Sequence, residues 1–483
     1  MGIRFNEVTL RNRLFSSWVR LENPILGAVV LAWIAAFTWD FVLSPSTVQR
    51  EQYGYLPFML QHAETWRDVG GKLFDVCQLD GCLARFRPLG HLLEWGDSFL
   101  TISISRNLNI HFKSFVQFAC SLLTALALAV AFRPILKNVN RTWRWALAAF
   151  VLSLPSLLVL NSFYFRPEKI FSAAALAGSL ALWQHCRSGG RPHRMICAGV
   201  LAFAACGDEV IPLYLALFTA VSWIETTWIT RETRWRKPAA FTQIGLLALA
   251  IFGALLVFVG PWAFRTFATG PINRDYSSPL SFIDLRPRLW AESVKSLFNQ
   301  LRSNFGGGLH PGLGSISAVG VIFGGLGSLR SWRRPTKTPN PQPPALTLVL
   351  LLGGVTAIQD LLVMRHRWLL QPSLQFQGYY YVTPVILLFF FGTWAASRHG
   401  QMERPSYRAF TILCLLFVSL WNFHSMPEIR EFALEQNQQS EYRESRIMET
   451  ALRNHVTDPA QLTGLSEEAR NFYRIYARAV FAQ

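Results

Sequence analysis

Charge is scarce in this chain, and carboxylates are the scarcer sign. Of 483 residues only 16% are charged, 46 being Lys or Arg against 29 Asp or Glu, while 51% are hydrophobic. A soluble globular domain rarely reaches that balance, so the apolar surplus must face lipid. The long apolar runs show no strand-like alternation, which excludes a β-barrel. Cysteine is sparse too: of seven, five fall in or beside apolar runs and read as packing residues, and no His lies near the remaining two to make a zinc site. The basic start (Arg4, Arg11, Arg13, Arg20) precedes an apolar run that is longer than the core of a cleavable leader, so a retained first span is expected.

Apolar runs fall at about 24–43, 112–132, 145–162, 170–184, 195–207, 210–229, 241–264, 313–330, 345–363, 378–396 and 409–424. Crossing roughly 30 Å of hydrocarbon takes about 20 mainly apolar residues, and a spanning backbone must satisfy its own polar groups. The expected fold is all-α: a polytopic membrane protein of about eleven transmembrane helices over 1–424, followed by a short helical tail over 425–483. Neither paired halves nor interrupted spans stand out.

Cytoplasmic loops should collect Lys and Arg. Alternate connections do so, through Arg133, Lys137, Arg141 and Arg144, then Arg187, Arg191 and Arg194, then Arg231, Arg234, Arg236 and Lys237, then Arg330, Arg333, Arg334 and Lys337, then Arg398, Arg404 and Arg408. Most acids fall on the other side. This parity sets the N-terminus in the cytoplasm and the C-terminus outside, with long extracytoplasmic loops at about 44–111 and 265–312. Topology and anionic lipid account for the net charge of +17, so nucleic acid is not an expected partner. In the tail, Ser466 followed by Glu467 and Glu468 reads as a helix N-terminus.

The first long loop sets Glu51, Glu64, Asp68, Asp75, Asp80, Glu94 and Asp97 among Tyr53, Tyr55, Trp66 and Trp95. Carboxylates beside aromatic rings suit a carbohydrate or hydroxyl acceptor, because the acid takes a proton while rings cover apolar sugar faces. A solvated amphipathic loop is the plainer alternative. Asp40 stands at the outer end of the first span, where an ionised group is costly unless it serves a purpose or snorkels to the interface. Cys77 and Cys82 have a spacing that allows a short disulfide in an oxidising compartment.

The stretch Arg-Glu-Gln-Tyr-Gly-Tyr-Leu-Pro-Phe-Met-Leu at 50–60, then Trp66, Arg87-Pro88-Leu89, and Asn107 to His111 before the second span, resembles the polyprenyl-phosphate-sugar-dependent glycosyltransferases of the GT-C superfamily. Arg166-Pro167-Glu168, Asp208-Glu209-Val-Ile-Pro212 and Tyr379 to Tyr381 with Pro384 resemble later marks of that family, in order and on one face. The family's acidic pair in the first loop reads Glu51-Gln52 here, and Asp208 stands where Lys is common.

The resemblance implies sugar transfer from a polyprenyl-phosphate donor to an acceptor hydroxyl at the extracytoplasmic face of a bacterial inner or plasma membrane. Glu51 is the expected base and Asp40 the alternative. Glu168, Asp208 and Glu209 would form an acidic rim, capping helix N-termini or binding magnesium or manganese. Arg87, Arg166, Arg265, Arg365 and Arg367 are candidates to grip the donor phosphate, because guanidinium groups hold phosphate oxygens in bidentate fashion. Tyr53, Trp66 and Tyr379 are candidate sugar or acceptor contacts. A flippase for a lipid-linked intermediate and a non-catalytic assembly subunit are the competing functions, and fold alone does not separate them from an enzyme.

Overall fold

In a computed structural model the described residues are 7–62 except 49, 65–71, 88–164, 167–188, 210–224, 382–398 and 400–481, with scattered positions between 204 and 207 and between 287 and 358. The chain is mostly helical. In order, the elements are α1 (Glu7–Leu43), β1 (Thr47–Val48), α2 (Arg50–His62), α3 (Trp66–Gly71), α4 (Pro88–Leu108), α5 (Phe115–Ala131), α6 (Arg141–Phe150), α7 (Pro155–Leu160), β2 (Phe163–Tyr164) and α8 (Pro167–Ser188). They continue with α9 (Val210–Ile224), α10 (Val382–Arg398), α11 (Pro405–Arg453) and α12 (Glu467–Phe481).

Among the described residues two stretches, Arg20–Leu43 of α1 and Pro405–Glu428 of α11, are long and apolar enough to cross a membrane. They are not core helices of a soluble domain, for Leu31 and Trp39 are 70% exposed and Leu420 69%. Apolar surface of that extent calls for lipid or a partner. Shorter apolar helices coincide with α5, α8 and α10. The expected spans at 195–207, 241–264 and 313–330 lie outside the described residues apart from Ala204 and Gly207, and the span at 345–363 lies mostly outside them.

Buried ion pairs join α1 to α11 at both ends of these stretches. Glu22 pairs with Arg408, and Asp40 pairs with Arg430. Both residue numbers rise together, so the two helices run parallel. At 1.5 Å per residue the pairs are about 27 Å apart along α1 and about 33 Å along α11. Those lengths bracket the roughly 30 Å of a bilayer's hydrocarbon. We call the end with Glu22 the base and the end with Asp40 the rim.

The apolar run at 145–162 is not one helix, which corrects the expectation that no span is interrupted. Proline disfavours a helical residue before it, and Leu154 is accordingly extended (φ −70, ψ 128), with Pro155 opening α7. The groups freed by the break find partners in the core. Asn422 donates to the Ser153 carbonyl at 3.0 Å, Asn304 Oδ1 accepts from the Ser156 amide at 3.0 Å, and the Ser153 and Ser419 hydroxyls lie 3.0 Å apart.

Among the described residues the apolar packing falls into three clusters, the smallest of them formed by Ala175, Ala204, Ile211 and Leu215. A large one joins α1, α5, α6, α7, α8 and α10. A second one at the rim joins Val48, Tyr53, Trp95 and Phe112 to Met448, Leu452, Phe472, Tyr473 and Tyr476. The boundary anticipated between 424 and 425 falls inside α11, which continues through Pro427 to Arg453. The tail therefore leaves the apolar stretch as a continuation of the same helix and folds back, with α12 against α2 and α4. Ser466 Oγ accepts from the Ala469 amide at 3.3 Å and caps α12.

Candidate functional site at the rim

β1 and β2 pair in parallel, Thr47 opposite Phe163 and Val48 opposite Tyr164, and so tie the chain beyond α1 to the chain beyond α7. Because β1 is only two residues long, its free side needs another partner, and the Val48 amide donates to Ser445 Oγ of α11 at 2.9 Å. Immediately after β1, α2 begins at Arg50. Glu51 is its second residue. Its neighbours are fastened on both sides: Arg50 Nε donates to Glu468 of α12 at 2.8 Å, and the buried Tyr53 donates its hydroxyl to Glu444 Oε2 at 3.0 Å. Glu444 Oε1 also accepts the Ser466 amide at 2.7 Å, so one carboxylate joins α2, α11 and the start of α12. Burial, then the Glu444 charge, raises the Tyr53 phenol well above its ordinary range and keeps it protonated as a donor.

Asp40 is not a free carboxylate. Arg430 grips both of its oxygens, through Nη1 to Oδ1 at 2.8 Å and through Nη2 to Oδ2, with the guanidinium only 4% exposed. Beside them the buried Lys113 donates Nζ to the carbonyl and hydroxyl of Ser44 and lies 5.5 Å from the Phe41 ring centroid. Asp40 is bonded to Arg430 alone, while Glu449 and, less strongly, Asp40 act on Lys113 at longer range.

Asp97 and His111 frame the turn from α4 to α5. Asp97 Oδ1 accepts the Val116 amide at 2.9 Å, satisfying a donor that the first turn of α5 would otherwise leave unpaired. Burial raises its carboxyl to about 7, against the opposing pull of hydrogen bonds from Ser114, Val116 and Phe115. The buried His111 faces Asn109 Oδ1 through Nε2 at 2.7 Å, and its Nδ1 has no hydrogen-bond partner. Burial first, then Arg453 and His455, lowers His111 to about 4. The three non-glycine residues with positive φ among the described residues, Asn109, Phe112 and His455, all belong to this contact between the α4–α5 turn and the end of α11.

The remaining expected site residues are distributed as follows. Trp66 opens α3, is 60% exposed and lies 5.6 Å from the Phe99 ring. Glu168 is the second residue of α8. Asp208, Glu209, Arg87, Arg166, Arg265, Arg365, Arg367, Tyr379, Cys77 and Cys82 lie outside the described residues. Among the described residues no group of three or more His, Cys, Asp or Glu is arranged to hold a metal. Sequence reasoning missed Lys113, Arg430 and Glu444. The one available signal for Arg430 was an acid at the end of one apolar run and a cation just past the end of another.

Compared with known proteins, the chain matches no family model and no curated sequence.

Proposed function

We propose that this chain is a membrane glycosyltransferase that moves a sugar from a polyprenyl-phosphate donor to an acceptor hydroxyl at the rim. The reading joins the order of the GT-C-like motifs to one structural observation. Glu51 lies on a short helix pinned to α11 and α12 where two apolar, parallel helices end, while the alternative base Asp40 has both oxygens engaged by Arg430. A pinned helix suits a base that must stay within hydrogen-bond reach of its acceptor.

In the proposed reaction Glu51 takes the proton as the acceptor oxygen attacks the anomeric carbon. The bond from that carbon to the phosphate oxygen breaks, with inversion, and polyprenyl phosphate leaves with the electron pair. Arginines, of which Arg87, Arg166, Arg265, Arg365 and Arg367 are the candidates, offset the phosphate charge. Asp40 acts on α1 as a positioning residue through Arg430. Trp66, exposed near the rim, and Tyr379 are the proposed sugar contacts, whereas the hydroxyl of Tyr53 is given to Glu444.

Parallel α1 and α11 require an odd number of crossings between them if both span. Eleven spans, with the rim extracytoplasmic and the N-terminus in the cytoplasm, meet that condition and agree with the distribution of Lys and Arg. The broken α6–α7 segment is the feature that favours a transporter, since transporters bind cargo at discontinuous helices. Here the groups of the break are spent on Asn304, Ser419 and Asn422. That arrangement suits packing better than cargo.

The test is sugar transfer in vesicles from a panel of polyprenyl-phosphate sugars, by wild type, Glu51→Gln, Asp40→Asn and Glu209→Gln, each checked for folding. Removing a general base should lower turnover by about 10²–10⁴-fold in Glu51→Gln. Full activity in that variant would refute the assignment. No transfer by wild type across the panel would favour the flippase or the assembly subunit.

A further inference from the structure

One face of α12 has no assigned task. Its inner face is buried through Ala469, Phe472, Tyr473, Tyr476, Ala477 and Val480. On the opposite side Arg470, Arg474 and Arg478 recur every fourth residue and are all exposed. Residues four apart are neighbours on a helix surface, and like charges at that spacing repel. Four other arginines near the rim have carboxylates, Arg50 with Glu468, Arg430 with Asp40, and Arg446 and Arg453 with Glu449. Arg470, Arg474 and Arg478 pair with none among the described residues, although Glu467 is only one turn from Arg470.

The tethers of α12 fix where this helix lies. Near its start Glu468 holds Arg50, seven residues past the end of α1. Near its end the Ala479 carbonyl accepts from Arg106 Nε at 2.7 Å, and Tyr476 lies 2.8 Å from Ser105 Oγ, both in the last turn of α4. The Tyr476 ring also packs 4.8 Å from that of Phe112, three residues before α5 begins. Three residues of chain reach at most about 10 Å. Thus α12 lies along the surface where α1 ends and α5 begins.

We propose that the Arg470, Arg474 and Arg478 stripe docks on the head groups of anionic phospholipid in the leaflet at the rim. The chemistry shared with a free phosphate is guanidinium to phosphate oxygen. The spacing favours lipid: the three residues are spread over about 12 Å of helix axis instead of clustering at one point. A line of separate cations fits a surface of many phosphates. This holds whichever side of the membrane the rim occupies, and it does not rest on the glycosyltransferase reading.

The experiment uses the full chain in lipid nanodiscs of phosphatidylcholine alone or of an equal mixture with phosphatidylglycerol. Lipid retained after mild delipidation is counted by native mass spectrometry for wild type, for R470Q/R474Q/R478Q and for Arg443→Gln, an exposed cation on α11. Wild type should retain phosphatidylglycerol over phosphatidylcholine, with the preference falling about fivefold for each stripe arginine removed. High salt should weaken it. Arg443→Gln should match wild type, and the stripe variant should melt as wild type does, because its changed side chains are exposed and make no ion pair among the described residues. Equal retention by wild type and the stripe variant would overturn the proposal, as would an equal loss in Arg443→Gln. Inorganic phosphate binding to wild type but not to the stripe variant in phosphatidylcholine discs, without lipid preference, would assign the stripe to a soluble anion instead.

Discussion

The two ends of the α1–α11 pair use the same device and complete it differently. At the base, Glu22 accepts from Arg408 Nε at 2.6 Å, from Arg408 Nη2 at 3.0 Å and from Trp143 Nε1 at 2.8 Å, while Arg408 Nη1 also reaches the Glu403 carbonyl at 3.3 Å. One acid faces one cation, and neutral groups supply the rest. At the rim, Asp40 faces Arg430 with Lys113 close by, and Arg430 Nε is left without a partner. The base is a closed joint. The rim carries Lys113 beside the ion pair, backbone residues with positive φ, and the helix that bears Glu51. Unspent interaction capacity of this kind collects where a molecule works, so the comparison directs attention outward.

The contrast predicts that deletions have opposite asymmetry at the two ends. Breaking a buried pair by removing one partner costs about 3–5 kcal/mol because the survivor keeps its charge. At the rim, Asp40→Asn strands Arg430 beside Lys113 and should show the full loss. Arg430→Met leaves Asp40 with Lys113 as a substitute and should cost less, about 1–3 kcal/mol. At the base the order reverses: Arg408→Met strands Glu22, only 2% exposed, whereas Glu22→Gln leaves Arg408 with backbone carbonyls. Denaturant unfolding of the four variants in one detergent measures this crossing. The same order at both ends would mean that Lys113 does not compensate Asp40.

How far these features could be read from sequence follows the range of the interactions. Hydropathy marks α1, α5 and α11 because each is a local run, and Ser466 marks the start of α12 because a cap acts within four residues. The break at Pro155 lies inside a continuous apolar run; residue chemistry marks it but average hydropathy does not. The continuation of α11 was hidden for the opposite reason, since Pro427, Glu428 and Arg430 look like the end of a helix. The Asp40–Arg430 pair joins residues 390 apart in sequence, and no local pattern encodes the parallel register that brings them together. Tyr53 was legible as an aromatic beside acids, but its partner Glu444 lies 391 residues away.

A smaller effect separates Asp97 and His111, which frame the α4–α5 turn. Asp97 has its proton affinity raised in the folded chain, so the stability it contributes is whole below about pH 4 and is lost as pH rises through about 7. His111 is lowered to about 4, so its contribution is whole above its ordinary value and is lost as pH falls through about 4. In wild type the two trends oppose each other between about pH 4 and 6.5. Asp97→Asn should leave the His111 limb, giving stability that falls on acidification from about pH 6.5 to 4. His111→Gln should leave only the Asp97 limb, with stability rising toward acid by about 1–3 kcal/mol. Melting temperatures from about pH 4 to 6.5 read both slopes; a flat profile in Asp97→Asn would remove His111 as a titrating group.

The smallest expected change concerns the backbone. His455 has φ 55, a conformation in which a side chain on Cβ crowds the following carbonyl, at roughly 1–2 kcal/mol for an ordinary residue. Glycine relieves that crowding but adds freedom to the unfolded chain, so the net gain from His455→Gly should be under about 1 kcal/mol. The His455 ring also packs 5.4 Å from Phe481, a contact the substitution removes. If the turn serves only to reverse the chain between α11 and α12, relief of strain should win and the variant should melt slightly higher. A lower melting temperature would mean that His455 holds α12 through Phe481, making the positive φ the consequence of that contact and extending the rim's fastening to the last turn of the described chain.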